Sequence, residues 1–238
     1  MRKKIVNWIK KQVKAARAKG IVMGLSGGVD SSVVAALAKE AVGKSRILAL
    51  VLPCHSQVQD LADAKLLASK LGIKTKTVDL YGTFDQLIKI LPEAGSMAKA
   101  NIKPRLRMLV LYYFANKLNY LVCGTGNKSE LMLGYFTKHG DGATDILPIG
   151  DLLKKQVRKL AKELKIPQGI INKLPTAGLW PGQTDEGEMG ITYAELDDIL
   201  ERSANKRKQV LPRNTVNKVK EMIKKSEHKR QGPKICKV

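Results

Sequence analysis

The sequence predicts an α/β protein: a parallel sheet flanked by helices on both faces. Two observations predict it: short apolar runs alternate with segments of helical periodicity, and Gly-rich turns at 24–28 and 124–127 each follow an apolar run and precede a helix. Ile5, Val6, Ile9 and Val13 recur at helical spacing, so residues 2–18 read as an amphipathic helix ending before Gly20. Ile21–Met23 is the first strand, and an Ala-rich helix with Val33, Val34 and Leu37 on one face runs from Ser31 to Val42. The unit repeats with a strand at 47–52 closed by Pro53, a helix at 58–71, and a strand at 73–78 after Gly72. Pro104 starts a helix reaching about Asn119, carried by Leu106, Leu109, Val110 and Tyr113, and Tyr120–Cys123 is a fourth buried strand. Residues 134–150 and 175–190 hold most of the remaining Gly, Pro and Asp, as long irregular stretches kept for binding or lids do. A single domain over 1–238 is expected, with terminal basic helices at 2–18 and 212–226 on or beside its core.

A net charge of +22 would ordinarily raise nucleic acid as the partner. Its distribution argues otherwise. Residues 1–20 carry eight Lys or Arg and no acid, and residues 205–238 carry twelve against Glu221 and Glu227, which leaves +4 for the motif-bearing middle. The terminal segments read as helices with solvated basic faces and lack interleaved aromatics for base stacking, so nucleic acid is not the expected partner. Basic arms can equally wall a polyanionic nucleotide site. No run of 18 apolar residues and no secretory core is present, which predicts a cytoplasmic protein without a membrane partner. Cys54, Cys123 and Cys236 are far apart and lack C-x-x-C spacing, so neither a zinc site nor a disulfide framework is expected.

Gly24-Leu25-Ser26-Gly27-Gly28-Val29-Asp30-Ser31-Ser32 lies between a buried strand and a helix, where unpaired N–H groups and the helix dipole favour an anion. Glycines allow close approach to phosphate oxygens, and Ser26, Ser31 and Ser32 add hydroxyl donors. Asp30 would repel phosphate unless a cation intervened, and reads best as a Mg²⁺ ligand. The lysine of a Walker A loop is missing, so kinase-like or GTPase-like chemistry is not supported.

Ser26-Gly27-Gly28-Val29-Asp30-Ser31 resembles the pyrophosphate-binding loop of the N-type ATP pyrophosphatases. That superfamily cuts ATP between its α- and β-phosphates, transfers AMP to an oxygen, and lets a nitrogen or sulfur nucleophile displace it. The loop leaves the substrate open among GMP, asparagine, argininosuccinate and NAD synthetases and tRNA-modifying enzymes. Four further segments narrow the choice: Gly124–Glu130, Gly134–Gly142, Asp145–Ile149 and Pro175–Glu186 resemble ammonia-dependent NAD synthetases, and the resemblance runs from about Lys3 to Lys229. A tRNA-modifying enzyme would share the loop and use the basic arms, and a nucleotide-sensing or RNA-binding module would share the fold without turnover.

The resemblance implies an adenine nucleotide alpha hydrolase-like fold, a Rossmann-like doubly wound sheet. It also implies ATP-dependent amidation of nicotinic acid adenine dinucleotide (deamido-NAD) to NAD with ammonia, through a dinucleotidyl adenylate, with release of AMP and pyrophosphate. Gly24, Leu25, Ser26, Gly27, Gly28, Val29, Asp30, Ser31, Thr125, Lys154 and Thr176 would bind ATP. Arg105, Lys138, Asp145, His228 and Lys229 would bind the dinucleotide acid, and Asp30 and Glu130 would share Mg²⁺. Asp145, Lys154 and Asp30 would be catalytic: Lys154 can neutralise the leaving pyrophosphate, and Asp145 can attract ammonium or accept its proton. On composition alone, His228-Lys229 reads as a solvated basic tail. The pattern fills the chain and leaves no room for a glutaminase, so free ammonia is the expected nitrogen source, and a homodimer is expected to complete the dinucleotide site.

Overall fold

The computed structural model describes residues 1–180 and 182–237. Four parallel strands, β1 (Gly20–Gly24), β2 (Ile47–Val51), β3 (Lys74–Thr77) and β4 (Tyr120–Val122), form one sheet in the order β3-β2-β1-β4. Ile21 of β1 pairs with Ile47 on one side and Leu121 on the other. Residues of β2 are buried along its whole length, as a strand covered on both faces requires. At the sheet edge, every residue of β3 is exposed and two of its four are lysines, whose charge discourages pairing with another strand.

Helices α1 (Arg2–Ala15), α2 (Val29–Val42) and α3 (Val58–Leu71) precede β3. Between β3 and β4 come α4 (Tyr81–Ile90), α5 (Ser96–Ala100) and α6 (Ile102–Leu118). After β4 follow α7 (Lys128–Leu133), α8 (Lys154–Glu163), α9 (Gln168–Asn172), α10 (Asp185–Met189), α11 (Tyr193–Ala204), α12 (Arg213–Lys225) and α13 (Glu227–Arg230). One face of the sheet packs Ile21, Met23 and Ile47 against Ile9 of α1, Val33 and Leu37 of α2, Leu67 of α3 and Leu160 of α8. The other face packs Val22, Leu50 and Val122 against Phe84 of α4 and Met108, Leu111 and Ala115 of α6. A third cluster joins Leu133, Tyr193, Leu196, Val216 and Val219, and seats α11 and α12 beside α7.

Local chemistry adjusts the expected boundaries. Helix α1 stops at Ala15 because Arg17 takes φ +51°, and the Ala18 and Arg17 amides return to the Val13 and Lys14 carbonyls in a Schellman turn. Helix α2 starts at Val29, since Ser31 and Ser32 fold their hydroxyls back onto the Gly28 carbonyl and so sit inside its first turn. Helix α6 begins at Ile102 with Pro104 in the first turn, where a missing N–H breaks no helical hydrogen bond. The 175–190 stretch is not wholly irregular, for Thr184 caps α10 by accepting from the Gly187 amide.

Ile9 is fully buried between α1 and the sheet face. Ile9→Ala is expected to cost about 2–5 kcal/mol through lost burial and an unfilled cavity. Thermal unfolding should register it as a drop of roughly 5–15 °C, and an unchanged melting temperature would show that α1 is not part of the cooperative core.

Candidate functional site

The strand order reverses its connections between β1 and β4, and in an open α/β sheet the crevice outside the carboxyl ends of such strands receives ligands. Both Gly-rich turns open there. The loop after β1 is anchored to β2 by the Leu25 amide on the Leu50 carbonyl, 2.8 Å. Gly27 takes φ +79°, and a Cβ at that position would collide with the Asp60 carbonyl of α3, so only glycine fits. The Ser26 and Ser31 hydroxyls lie 3.1 Å apart at the start of α2, leaving hydroxyl and first-turn N–H donors at the positive end of the helix.

After β4, Asn127 and Glu130 form a reciprocal cap on α7. The Asn127 side chain accepts from the Glu130 amide at 3.0 Å, and Glu130 Oε2 accepts from the Asn127 amide at 3.1 Å. Asn127 Nδ2 also donates to Asp30 Oδ1 at 3.0 Å, which couples the two loops across the crevice. The remaining oxygens converge on one cation: Lys154 Nζ donates to Asp30 Oδ2 at 2.5 Å and to Glu130 Oε1 at 3.3 Å, 4.8 Å from the Tyr193 ring centroid. The Lys154 side chain is 3% exposed. Its backbone is fixed by Ser129 Oγ, which accepts from the Lys154 amide and donates to the buried Asp197 of α11.

Leu25, Ser26, Asp30, Ser31, Thr125, Glu130, Lys154, Thr176 and Lys229 line one cavity of about 610 Å³, as do Gly24, Gly28 and Val29. Its apolar end is formed by Leu50, Leu52, Met108 and Leu111, suited to a flat base, and its polar end by the Asp30–Lys154–Glu130 group. Arg105, Lys138, Asp145 and His228 lie outside this cavity, as does Gly27, which faces the Asp60 carbonyl. Three of them are nonetheless linked: Arg105 donates to the Lys138 carbonyl, and Lys138 Nζ to the His228 carbonyl at 2.8 Å. Lys229 joins that strip to the cavity, donating to the Gly134 and Phe136 carbonyls. Asp145 is exposed, and its two oxygens accept from the Tyr112 hydroxyl at 2.9 Å and the Val122 amide at 2.7 Å. Burial and this carboxylate push the Tyr112 hydroxyl up to about 12.

Several lining groups carry no motif. Lys173 bridges Asp60 and Asp63 of α3 at 2.6 Å each and pins the start of the 173–184 segment beside the phosphate loop. Arg107 donates to the Leu52 carbonyl at 3.1 Å and to Ser56 Oγ, holding the Cys54-His55-Ser56 turn. His55 packs on the Tyr81 ring at 3.9 Å, and Cys54 is fully buried beneath that turn, where burial pushes its thiol up. Asp185 and Tyr193 stand behind Glu130, joined by a 2.9 Å hydrogen bond. The Pro175–Glu186 segment and the capping pattern Thr192–Glu195 mark this region in the sequence, but neither singles out Asp185 or Tyr193 for a role.

Burial raises Glu130 above the ordinary carboxylate range, with Lys154 opposing and Asp30 reinforcing the shift. Burial would depress Lys154, but Asp30 and Glu130 outweigh it and hold the ammonium charged. Among the described residues no group of three His, Cys, Asp or Glu converges on a metal position. Two oxygen ligands facing a phosphate loop fit Mg²⁺, which takes one or two carboxylates and completes its shell with water and phosphate.

Residues 1–233 match the family model described as NAD synthase. The chain is 47% identical to an NH(3)-dependent NAD(+) synthetase of Carboxydothermus hydrogenoformans, over 98% of this chain and 95% of that one. Among solved structures it is similar to an NMN synthetase from Francisella tularensis, with TM-score 0.92 and 39% identity, covering 100% of this chain and 97% of that one. An NH3-dependent NAD synthetase from Campylobacter jejuni superposes with TM-score 0.86 and 32% identity, covering 99% and 97%.

Because the folded pKa of Glu130 is raised, its contribution to stability is fully present below the ordinary glutamate range and is lost as pH rises through about 7. Without divalent cations, the melting temperature is expected to fall relative to that of Glu130→Gln as pH rises from about 4.5 to about 7. Parallel pH profiles for the two proteins would show that Glu130 titrates in its ordinary range.

Proposed function

The chain belongs to the NAD synthase family and catalyses the ATP-dependent amidation that ends NAD biosynthesis, and we propose that the crevice between β1 and β4 performs both of its steps. The observation that carries this reading is the Asp30–Lys154–Glu130 group set against the phosphate loop. The substrates are ATP, deamido-NAD and ammonia.

In the first step a nicotinate carboxylate oxygen attacks the α-phosphorus, the bond to the bridging oxygen breaks, and pyrophosphate leaves. Ser26 to Ser31 and the first-turn amides of α2 receive the charge that grows on the leaving group, and Lys154 neutralises it from the opposite wall. Asp30 and Glu130 would hold Mg²⁺, which when bound screens the triphosphate oxygens. Thr125 and Thr176 flank the nucleotide, whose adenine lies toward Leu50, Met108 and Leu111. In the second step the ammonia nitrogen adds to the acyl carbon, the bond from that carbon to the adenylate oxygen breaks, AMP departs, and the nitrogen gives up one proton to water or to the departing phosphate. Positioning and charge neutralisation supply the catalysis.

Arg105, Lys138, His228 and Lys229 bind the dinucleotide acid along the strip that leads out of the cavity. Asp145 already accepts hydrogen bonds on both oxygens, which suits attracting a cation better than taking up a proton. The outer face of α6 presents Leu109 at 66% and Tyr113 at 58% exposure, one and two turns beyond Arg105. A second copy packed there would cover this apolar face and complete the dinucleotide site as a homodimer. No helix among the described residues is long and apolar enough to cross a membrane, and three free cysteines suit the reducing cytoplasm.

The similarity to an NMN synthetase favours one second reading, amidation of the mononucleotide acid in place of the dinucleotide acid. Incubation with Mg-ATP, ammonium and either acid separates the two. Formation of NAD, AMP and pyrophosphate, with a higher kcat/KM for the dinucleotide, is expected. ADP as product, AMP release that ignores both acids, or a preference for the mononucleotide would overturn the assignment. Asp30→Ala, Glu130→Ala and Lys154→Gln should each lower adenylation by about 10²-fold or more, and full turnover in any of them would remove that residue from the site.

A further inference from the structure

Residues 173–179 line the cavity throughout and contain neither helix nor strand, since α9 ends at Asn172 and α10 starts at Asp185. Such a stretch has no internal ladder to fix its backbone, so its place is set by what it is tied to. At one end Lys173 Nζ bridges Asp60 Oδ1 and Asp63 Oδ2 of α3 at 2.6 Å each. Burial would depress this ammonium, but the two carboxylates outweigh it and hold it charged. At the other end the Leu179 carbonyl accepts from Lys103 Nζ of α6 at 2.6 Å. Two further ties, the Asp185 amide on the Pro175 carbonyl and the Leu179 amide on Gln183 Oε1, run to the chain that follows. Helices α3 and α6 cover opposite faces of the sheet, so the two lysines hold the segment across the crevice from one face to the other.

Lys103 is the more unusual tie. It is 7% exposed, and among the described residues its ammonium has one hydrogen-bond acceptor and no carboxylate partner, with the Phe84 ring centroid 5.4 Å away. Burial pushes it below its ordinary value. A buried ammonium is costly to leave unpaired, so the Leu179 carbonyl is drawn to the donor beside it. Lys103 does not line the cavity and can act on a ligand only through the segment it holds. Lys173 does line it, yet two of its three donors are committed to Asp60 and Asp63. The Asp60 carbonyl in turn faces Gly27, so this end of the segment is placed relative to the Gly-rich loop itself. Thr176 sits midway between the two ties. Its Oγ1 accepts from the Gly178 amide at 3.1 Å, which leaves the hydroxyl proton for a ligand oxygen.

We propose that Lys103 and Lys173 are positioning residues for the nucleotide: anchored on opposite faces of the sheet, they hold residues 173–179 so that Thr176 meets ATP beside the Gly-rich loop. The assignment rests on the amidation reading only in taking ATP as the occupant of the cavity.

Affinity for the Mg²⁺ complex of α,β-methylene-ATP, an analogue that cannot be cut between its α- and β-phosphates, reads nucleotide placement without turnover. In titration calorimetry Lys103→Met and Lys173→Met, which keep the apolar stems, are each expected to weaken binding by about tenfold, the scale of one lost charge-assisted hydrogen bond. In turnover the KM for ATP should rise in step, while kcat and the KM for the dinucleotide acid stay within about threefold of native. Asp60→Asn combined with Asp63→Asn should weaken binding as much as Lys173→Met, and adding Lys173→Met to that pair should cost nothing further. Lys173→Arg, whose guanidinium can bridge both carboxylates, should keep affinity within about threefold of native. Unchanged affinity in Lys103→Met or Lys173→Met, or an equal loss toward the dinucleotide acid, would overturn the proposal. Native or tighter binding by the Asp60→Asn, Asp63→Asn protein would overturn it too, since Lys173 would then contact phosphate in its own right. If circular dichroism shows one methionine variant to be misfolded, the other carries the test. Native protein that binds the analogue yet forms no NAD would instead overturn the amidation reading and leave the positioning role standing.

Discussion

Lys154 reaches Asp30 and Glu130 from a third element, and the polar half of the cavity depends on that contact. Asp30 begins α2 after β1, Glu130 closes the first turn of α7 after β4, and Lys154 begins α8. Without the lysine two carboxylates would face each other at the edge of a largely buried crevice, where like charges and desolvation both oppose ionisation. With it, the loops are held at a spacing that suits a cation and a triphosphate. Asn127 supplies the second tie, since its amide group touches both carboxylate-bearing turns.

That geometry has its own support, and much of it comes from the third hydrophobic cluster. Asp197 of α11 is 1% exposed and accepts from Ser129 Oγ and from the Lys155 amide, so it fixes the start of α7 and α8 together. Tyr193 of the same helix places its ring near Lys154 and its hydroxyl between Asp185 and Glu130. The chain beyond β4 thus contributes more than closure. It sets the orientation of Lys154 and places Asp185 behind Glu130.

The basic C-terminal segment shows how tertiary contacts reassign residues that composition describes as solvated. Arg230 donates to the carbonyls of Leu131, Met132 and Ile223, so it satisfies the open ends of two helices. Lys229 does the same for the Gly134 and Phe136 carbonyls and still borders the cavity. Gly134 takes φ +75° and leaves no space for a Cβ against Ser226, so this docking uses a glycine whose role only the partner helix reveals.

The sequence alone determined the sheet, its helices and the phosphate loop, because strand–turn–helix units are written in local periodicity and in glycines at fixed places. Helix 58–71 matches its expected limits, and the residues from Gly24 to Ser31 other than Gly27 line the cavity. Resemblance added Glu130, Lys154, Thr125 and Thr176, which share that cavity. The tertiary structure alone decided that Arg105, Lys138, Asp145 and His228 lie outside it, and that Asp185, Tyr193 and Arg107 belong to its surroundings. The physical reason is range: a loop's backbone shape follows from neighbouring residues, whereas an ion pair such as Lys154–Asp30 joins positions 124 residues apart and is set by how helices pack. The Gly-rich loop could therefore be read from its residues, and the charge balance at the polar end of the cavity could not.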